Sequence, residues 1–193
     1  LWAGSSTGGL QRIRGDRIEA VGEKLGLGAA IVRALAEAPD GSLWIGTHVG
    51  VFHARNDGTV GRYGVNEGLP GAQVLSFLME RDGTLLVGTR QGLAAISNGV
   101  ARSLTREWDL SEPVLALSRD AAGRTLIATG SGLAVRIGER TIRFGEAEGV
   151  PKRTYFNVMT DDRGDHWLCS NSGIVRVTGR TLNALIAGTA RHT

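Results

Sequence analysis

The sequence predicts an all-β fold built from repeated small antiparallel sheets, and three observations lead to this prediction. A segment Asp-Gly-Ser-Leu-Trp-Ile-Gly-Thr occupies residues 40–47, and its large apolar position, a closing glycine and a small hydroxyl residue between them all recur along the chain. The large residues are Trp2, Trp44, Leu86, Leu126 and Trp167, at steps of 42, 42, 40 and 41 residues. The glycines are Gly9, Gly50, Gly92, Gly132 and Gly173, and the hydroxyl residues are Ser5, Thr47, Thr89, Thr129 and Ser170.

A period of about 40 residues with several short strands per repeat is typical of a β-propeller. Each repeat is predicted to contain four strands. The first repeat lacks its innermost strand, and the last repeat lacks its outermost strand. Eighteen strands are therefore expected, in three complete four-stranded blades and two partial ones. This is an open fragment of a propeller, since these blades cannot close a ring of seven. The prediction assigns residues 1–180 to the propeller and residues 181–193 to a tail.

The innermost strand of each blade is predicted at residues 29–37, 74–79, 114–117 and 156–159. The first of these segments is rich in alanine and leucine, which favours a helix, but its place in the repeat favours a strand. A two-residue turn with glycine follows each inner strand, as in Asp40-Gly41 and Asp82-Gly83. The large residue of each second strand, such as Trp44, is expected to fill the space between blades rather than stack on a ligand.

The tail departs from the repeat. Residues 181–188 begin with Thr181, carry an apolar stripe and end with Gly188, which predicts a short helix with Thr181 as its N-cap. The chain has no initial methionine, no signal peptide and no apolar run of 18 residues. We therefore expect it to be a piece of a longer protein whose targeting and membrane segments lie outside it.

Composition excludes some function classes. The 22 basic and 19 acidic residues leave a net charge of +3, and the basic residues are scattered, which indicates a mixed solvated surface and no nucleic-acid partner. A single cysteine, Cys169, excludes a disulfide framework and is expected to be a small core residue.

No motif indicates catalysis, a cofactor or a metal. The glycine-rich segments at residues 4–9 and 26–28 lack the lysine and the strand-to-helix context of a phosphate loop. Residues 161–166 and the pair His48 and His53 lack the spacing of calcium or zinc ligands, and we interpret them as solvated turns. No nucleophile elbow or spaced triad is present, so the sequence predicts a protein that is not an enzyme.

The repeat resembles a known family. The Asp-Gly-x-Leu-Trp-Ile-Gly-Thr segment with its following Gly-Val, and the connector Glu-Gly-Leu-Pro at residues 67–70, are similar to the two-component regulator propeller family. The resemblance covers residues 1 to about 177, with departures at Leu86, Leu126 and residues 127–129. The stretch at residues 167–176 and the helix after it look like the late blades of the members that are linked to diguanylate cyclases.

The resemblance implies a function. Such repeats form the sensory region, usually periplasmic, of bacterial membrane-bound hybrid histidine kinases or diguanylate cyclases. It implies a non-catalytic sensor whose output domain lies outside this chain, with the remaining blades of the parent chain and a second receptor copy as partners. The family supplies no general ligand-binding motif. A scaffold for protein–protein interaction, without a small ligand, remains the alternative, and a propeller lyase or hydrolase lacks the acids or histidines that it would need.

The expected binding face follows from strand direction. The loop between the second and third strands and the connector into the next inner strand emerge at the same end of each blade, where ligand sites of rigid scaffolds are common. The candidates there favour an anionic or polyhydroxyl ligand, such as a small molecule or glycan, through charge-assisted hydrogen bonds. These candidates are His48, Arg90, Gln91, Lys152, Arg153, Tyr155 and Asn171.

Overall fold

The computed structural model describes residues 1–6 and 9–189, and the chain divides into two compact units, residues 1–105 and 106–193. Thr7 and Gly8 of the glycine-rich segment, and residues 190–193 of the predicted tail, lie outside the described residues. Within the described residues there are eighteen strands and one α-helix, in five antiparallel sheets of three, four, four, four and three strands. The predicted number of strands and the division into three complete and two partial blades are confirmed.

The first unit contains three sheets, and in each of them consecutive strands are neighbours. Its first sheet consists of β1 (Trp2–Gly4), β2 (Leu10–Arg14) and β3 (Arg17–Ala20). The second consists of β4 (Val32–Glu37), β5 (Leu43–Thr47), β6 (Gly50–Ala54) and β7 (Val60–Tyr63). The third consists of β8 (Val74–Met79), β9 (Leu85–Thr89), β10 (Gly92–Ser97) and β11 (Val100–Ser103).

The second unit contains two sheets and the helix. Its first sheet consists of β12 (Val114–Arg119), β13 (Thr125–Thr129), β14 (Leu133–Ile137) and β15 (Arg140–Phe144), and a 3₁₀ turn follows at Glu146–Glu148. Its second sheet consists of β16 (Asn157–Thr160), β17 (His166–Ser170) and β18 (Gly173–Val177), and α1 spans Gly179–Ile186. Among the described residues no helix has the length and hydropathy of a membrane span.

Sheets within a unit pack face to face. Every residue of β5, β9 and β13 is buried, as expected of a strand covered on both faces. Trp44 of the second sheet shares a core with Leu85 and Val87 of the third, and Leu126 shares a core with Leu168 in the second unit. These contacts confirm the predicted role of the large repeat residue as a filler between blades at Trp44 and Leu126.

The inner strand predicted at residues 29–37 forms over Val32–Glu37 as β4, although its composition favours a helix, and residue 29 lies in a turn before it. The same irregularity of register, a β-bulge, lies at the start of three inner strands, between Val32 and Ala34, Val74 and Ser76, and Val114 and Ala116. Since a bulge bends its strand and increases its twist, the repeat specifies the same bend in these three sheets.

The helix begins earlier than predicted. Its N-cap is Thr178, whose backbone is extended and whose Oγ1 accepts a hydrogen bond of 3.1 Å from the Thr181 amide. Thr181 lies inside the first turn, so its assignment as the N-cap is wrong. Leu182 is fully buried in the core of the second unit, which anchors α1 to the sheets.

Cys169 is not a core residue as the sequence analysis expected. It is half-buried in β17, whereas Leu168 beside it is fully buried. Successive side chains of a strand point to opposite faces, so Cys169 lies on the face of its sheet that carries the exposed Met159 and Ile174.

Candidate functional site

In four of the five sheets a hydroxyl residue closes the hairpin between the second and third strands of the repeat. In the first unit the buried Thr47 Oγ1 donates a hydrogen bond of 2.8 Å to the Gly50 carbonyl and accepts one of 3.1 Å from the Val49 amide. Both bonds join the hydroxyl to backbone groups of the turn, so the hydroxyl fixes the hairpin without using the side chains at its tip.

Three other sheets repeat this geometry. Thr89, Thr129 and Ser170 each donate to the carbonyl three residues ahead, at 3.0, 3.0 and 2.9 Å. The glycines at that third position have φ values of 131°, 128°, 154° and 114°, which residues with a Cβ rarely adopt. These glycines are Gly50, Gly92, Gly132 and Gly173. The repeated hydroxyl and glycine therefore hold one backbone shape, while the two tip residues are free to vary.

In the first unit these tips lie beside the connectors that enter the inner strands. The Ile31 amide donates a hydrogen bond of 3.0 Å to His48 Nδ1, and the Arg90 amide donates one of 3.0 Å to the Gln73 carbonyl. Gln91 covers Gly71 so closely that a Cβ there would lie 1.7 Å from Gln91 Oε1. The predicted meeting of hairpin and connector at one end of each blade is confirmed here.

The second unit has the same arrangement. The Gly130 amide donates to the Pro113 carbonyl at 3.2 Å, and Thr154 Oγ1 donates to the Gly130 carbonyl at 2.9 Å. Lys152 and Arg153 lie on this connector, and Asn171 lies at the tip of the β17–β18 hairpin. We call the hairpin tips and connectors at this end the loop face of each unit.

Most of the candidate residues reach the surface. The side chains of Arg90, Gln91, Lys152 and Asn171 are exposed, and those of His48 and Arg153 are half-buried. His48 also has a structural contact, because its ring accepts the Ile31 amide and so carries its neutral-state proton on Nε2. Guanidinium, ammonium and amide groups in these positions can donate hydrogen bonds to an anionic or polyhydroxyl ligand.

Tyr155 does not belong to this surface. Its side chain is 0% exposed in the core of the second unit, and its hydroxyl donates a hydrogen bond of 2.9 Å to the Pro151 carbonyl. Burial raises the pKa of the Tyr155 hydroxyl above its usual range. The selection of Tyr155 as a ligand-facing aromatic is therefore wrong, because the repeat places it where its connector enters the sheet.

A polar cluster on the loop face of the second unit escaped the sequence analysis. Glu112 accepts a hydrogen bond of 2.6 Å from Ser131 Oγ and pairs with Arg143, which also donates to the Asp109 carbonyl. Burial opposes ionisation of Glu112, but the bonds from Ser131 and Arg143 outweigh it and lower the pKa of the carboxyl. The partners lie 19 to 34 residues apart, so no local motif joins them.

The opposite end of the sheets, formed by the hairpins between first and second strands, is less solvated than predicted. Asp161 accepts hydrogen bonds from the Arg163 and Asp165 amides, each 2.9 Å, and from Trp167 Nε1 at 2.8 Å. The bond from Trp167 is the largest of the influences that lower the pKa of the Asp161 carboxyl. Asp162 and Arg163 at the turn are exposed, but Asp165 and His166 are buried, so the interpretation of residues 161–166 as a solvated turn is wrong for these last two.

His53 also differs from its interpretation as a turn residue. It lies in β6, half-buried, with its ring stacked on Trp44 at 3.6 Å between centroids. Its Nε2 lies 2.8 Å from Ser42 Oγ, and that hydroxyl donates to Asp40 Oδ1 at 2.6 Å. Among the described residues no group of three or more histidine, cysteine, aspartate or glutamate side chains is placed to hold a metal ion.

Comparison with known proteins supports the repeat and the fold. The family model for the two component regulator propeller matches residues 26–48, which confirms the resemblance seen in the sequence. A search of curated protein sequences found no match.

Solved structures share the β-propeller fold. The extracellular domain of a hybrid two component system from B. thetaiotaomicron is 22% identical with a TM-score of 0.79, and the match covers 91% of this chain and 25% of that one. PorZ, a bacterial surface component of the type-IX secretion system of Porphyromonas gingivalis, is 15% identical with a TM-score of 0.70, covering 93% of this chain and 31% of that one. Virginiamycin B lyase from Staphylococcus aureus is 12% identical with a TM-score of 0.67, and the match covers 88% of this chain and 62% of that one. At these identities the likeness concerns the fold, which hosts both receptors and enzymes.

Proposed function

We propose that this chain is a ligand-sensing segment of a bacterial transmembrane signalling receptor. The segment lies outside the cytoplasm, in the periplasm, and is itself non-catalytic. It controls a histidine kinase or diguanylate cyclase output domain elsewhere in the parent protein. The remaining blades of the parent chain and a second receptor copy are its partners in this proposal. The match at residues 26–48 and the fold shared with the extracellular domain of a hybrid two component system support it.

The loop face is the observation that carries this proposal. Four sheets fix the hairpin backbone with the same hydroxyl and glycine, yet the tips differ, from His48 to Arg90, Gln91 and Asn171. A rigid scaffold with variable, exposed polar tips is the usual design of a binding surface. The exposed basic residues Arg90 and Lys152 favour an acidic glycan or another anionic or polyhydroxyl ligand.

One further observation favours a second function. PorZ shares the fold at a TM-score of 0.70 and is described as a component of a secretion system. A scaffold for protein–protein interaction, without a small ligand, is therefore the alternative. It uses the same loop face but binds a protein partner.

Binding and turnover test the proposal together. The purified chain is titrated calorimetrically with sulfated and uronate-containing oligosaccharides and with their neutral counterparts. We expect saturable binding of an acidic oligosaccharide, and chromatography of the mixture should show no product. Detectable turnover would contradict the non-catalytic assignment, whereas binding only to a protein partner would favour the scaffold.

The loop face of each unit is tested separately in the full-length receptor. One variant carries Arg90→Ala with Gln91→Ala and the other carries Lys152→Ala with Arg153→Ala, and the output activity is measured against ligand concentration. We expect at least one variant to lose the response while its melting temperature stays unchanged. Arg81→Ala, at an exposed turn at the opposite end of the third sheet, is the matched control. An unchanged dose response in both variants would remove the loop face from consideration.

A further inference from the structure

A charged cavity lies in the second unit at the end opposite the loop face. It has a volume of about 890 Å³ and is formed by the β12–β13 and β16–β17 hairpins and the beginning of α1. Its charged and titratable lining residues are Asp120, Arg124, Arg163, Asp165, His166, Arg176 and Arg180. The loop face uses none of these residues, so the cavity calls for its own explanation.

The charges in this cavity do not balance. Asp120 is buried and pairs with Arg124 at 2.5 Å, and Asp165 is buried and pairs with Arg176 at 2.5 Å. Arg163 and Arg180 have exposed side chains and bring the lining to four guanidinium groups against two carboxylates. Because each carboxylate already has its own arginine, the surplus of positive charge favours an anion over a cation.

A buried polar atom adds an independent indication of a ligand. His166 lines the cavity with 1% of its surface exposed, and its Nδ1 lies 3.0 Å from Thr160 Oγ1. Its Nε2 is buried without a hydrogen-bond partner, although buried polar atoms of native proteins are nearly always paired. Burial lowers the pKa of the imidazole, which favours the neutral ring. In the tautomer in which the Thr160 hydroxyl donates to Nδ1, Nε2 carries the proton and can donate to an anion.

The N-terminus of α1 also favours an anion in this cavity. The helix spans eight residues, and Thr178, Gly179 and Arg180 at its N-terminus line the cavity. The Gly179 amide donates to Asp165 Oδ1 at 3.0 Å, so a carboxylate already occupies part of this positive end. Helix N-termini attract anions through their free amides and the helix dipole.

We propose that this cavity binds a small oxyanion: a phosphate, sulfate or carboxylate group held by Arg163 and Arg180, with the His166 imidazole beneath it. The site goes beyond the proposed function, because it lies at the other end of the sheets and requires no signalling output. The same chemistry can come from a free ion or from an acidic group on a larger molecule. Comparing tetrahedral phosphate and sulfate with planar acetate shows which ligand geometry the two arginines bind.

Calorimetry on the whole 193-residue chain tests the site. Inorganic phosphate, sulfate and acetate are titrated in chloride buffer at constant ionic strength, and we expect saturable binding of one ion per chain for at least one of them. Each arginine contributes a charge-assisted hydrogen bond, so Arg163→Gln with Arg180→Gln should weaken binding by about ten-fold or more. Arg81→Gln, an exposed arginine at the corresponding turn of the first unit, should leave the affinity unchanged.

A second readout follows the imidazole. In a ¹H–¹⁵N spectrum of the histidine side chains, the His166 ring nitrogens should shift with the same saturation curve as the heat. No saturable binding of any of the three ions would overturn the proposal, as would binding that the double variant leaves intact. A saturation curve that moves other histidines and leaves His166 unchanged would also overturn it. Loop-face variants should bind the ion normally, so failure of this site and failure of the proposed function are distinguishable.

Discussion

The second sheet, β4–β7, and the last sheet, β16–β18, carry the same tryptophan of the repeat in different surroundings. Trp44 is 7% exposed, stacks on His53 and shares a core with the third sheet. Trp167 is half-buried, with the Arg176 guanidinium 5.6 Å from its ring centroid. One repeat position is therefore a core residue in one sheet and a surface residue in another, since the neighbouring sheet decides how deeply it is buried.

The residue two positions further on shows the same contrast. A Cβ on Gly46 would lie 2.6 Å from Val74 Cγ1, an atom of the next inner strand. A Cβ on Gly4, at the same place in the first sheet, would lie 2.3 Å from Val32 Cγ1. The last sheet has Cys169 at this position, on a face where Met159 is 53% and Ile174 68% exposed. The small residue is thus required by the close approach of the next sheet and not by the strand that carries it.

Replacing the two tryptophans should give the largest difference. Trp44→Ala removes a buried aromatic and should lower the free energy of unfolding by about 3–5 kcal/mol. Trp167→Ala removes a partly exposed ring and should cost about 1 kcal/mol. Urea unfolding followed by circular dichroism measures both variants. Equal losses of unfolding free energy in the two variants would contradict the difference in burial between Trp44 and Trp167.

Alanine two positions after the tryptophan, at Gly46 in the second sheet and at Cys169 in the last sheet, tests the same contrast. Gly46→Ala places a methyl group against Val74 and Phe77 and should destabilise by about 1–3 kcal/mol, the usual cost of overpacking. Cys169→Ala should change stability by about 0.5 kcal/mol or less, because its face is open. Thermal unfolding of the two variants gives the comparison, and a neutral Gly46→Ala would mean that the neighbouring strand yields at little cost.

The fold was predictable because the same strand and turn pattern recurs in every repeat, so that many weak local signals support one assignment. The segment that forms β4 favours a helix by composition, but its place in the repeat identified the strand. The meeting of hairpin tips and connectors followed from strand direction alone. The start of α1 was missed by three residues because both Thr178 and Thr181 are acceptable caps, and only the backbone distinguishes them.

The surroundings of individual side chains could not be read from the repeat. Tyr155 and His166 occupy positions next to turns, which predicts solvent, but neighbouring elements bury both. The pair of Glu112 with Arg143 joins residues 31 positions apart. Such contacts depend on how two elements lie in space, and a single sequence with a 41-residue period carries no signal for them.

The hairpin hydroxyls should show a smaller effect. Thr47→Val keeps the shape of the side chain but removes the hydroxyl's bonds to the Gly50 carbonyl and from the Val49 amide, at a cost of about 1–2 kcal/mol. Ser170→Ala, at an exposed hairpin of the last sheet, should cost about 0.5 kcal/mol. Native-state hydrogen exchange of the strand amides beside each hairpin measures the two losses. A larger loss at Ser170 would reverse the expected order.

The smallest expected effect is the change of folding stability with pH that comes from His53 in the second sheet. Burial lowers the pKa of His53 in the folded chain, and the nearby Arg55 acts in the same direction. Because the folded state then holds its proton less tightly than the unfolded state, the stability from the neutral ring is complete above the unfolded pKa of about 6.5. It is lost as the pH falls from there towards the folded pKa, by at most about 1.4 kcal/mol per pH unit for one group.

The variant His53→Phe isolates this contribution. Phenylalanine keeps an aromatic ring against Trp44 but cannot titrate, and Ser42 keeps its bond to Asp40. Urea unfolding between pH 5 and pH 8 should therefore give a flatter stability curve for the variant than for the wild-type chain, with the difference confined to pH values below about 6.5. His48→Phe at the loop face is a control that also replaces a histidine by phenylalanine, but at a site without the aromatic stack. If both variants flatten the curve equally, burial beside Trp44 is not the cause of the pH dependence.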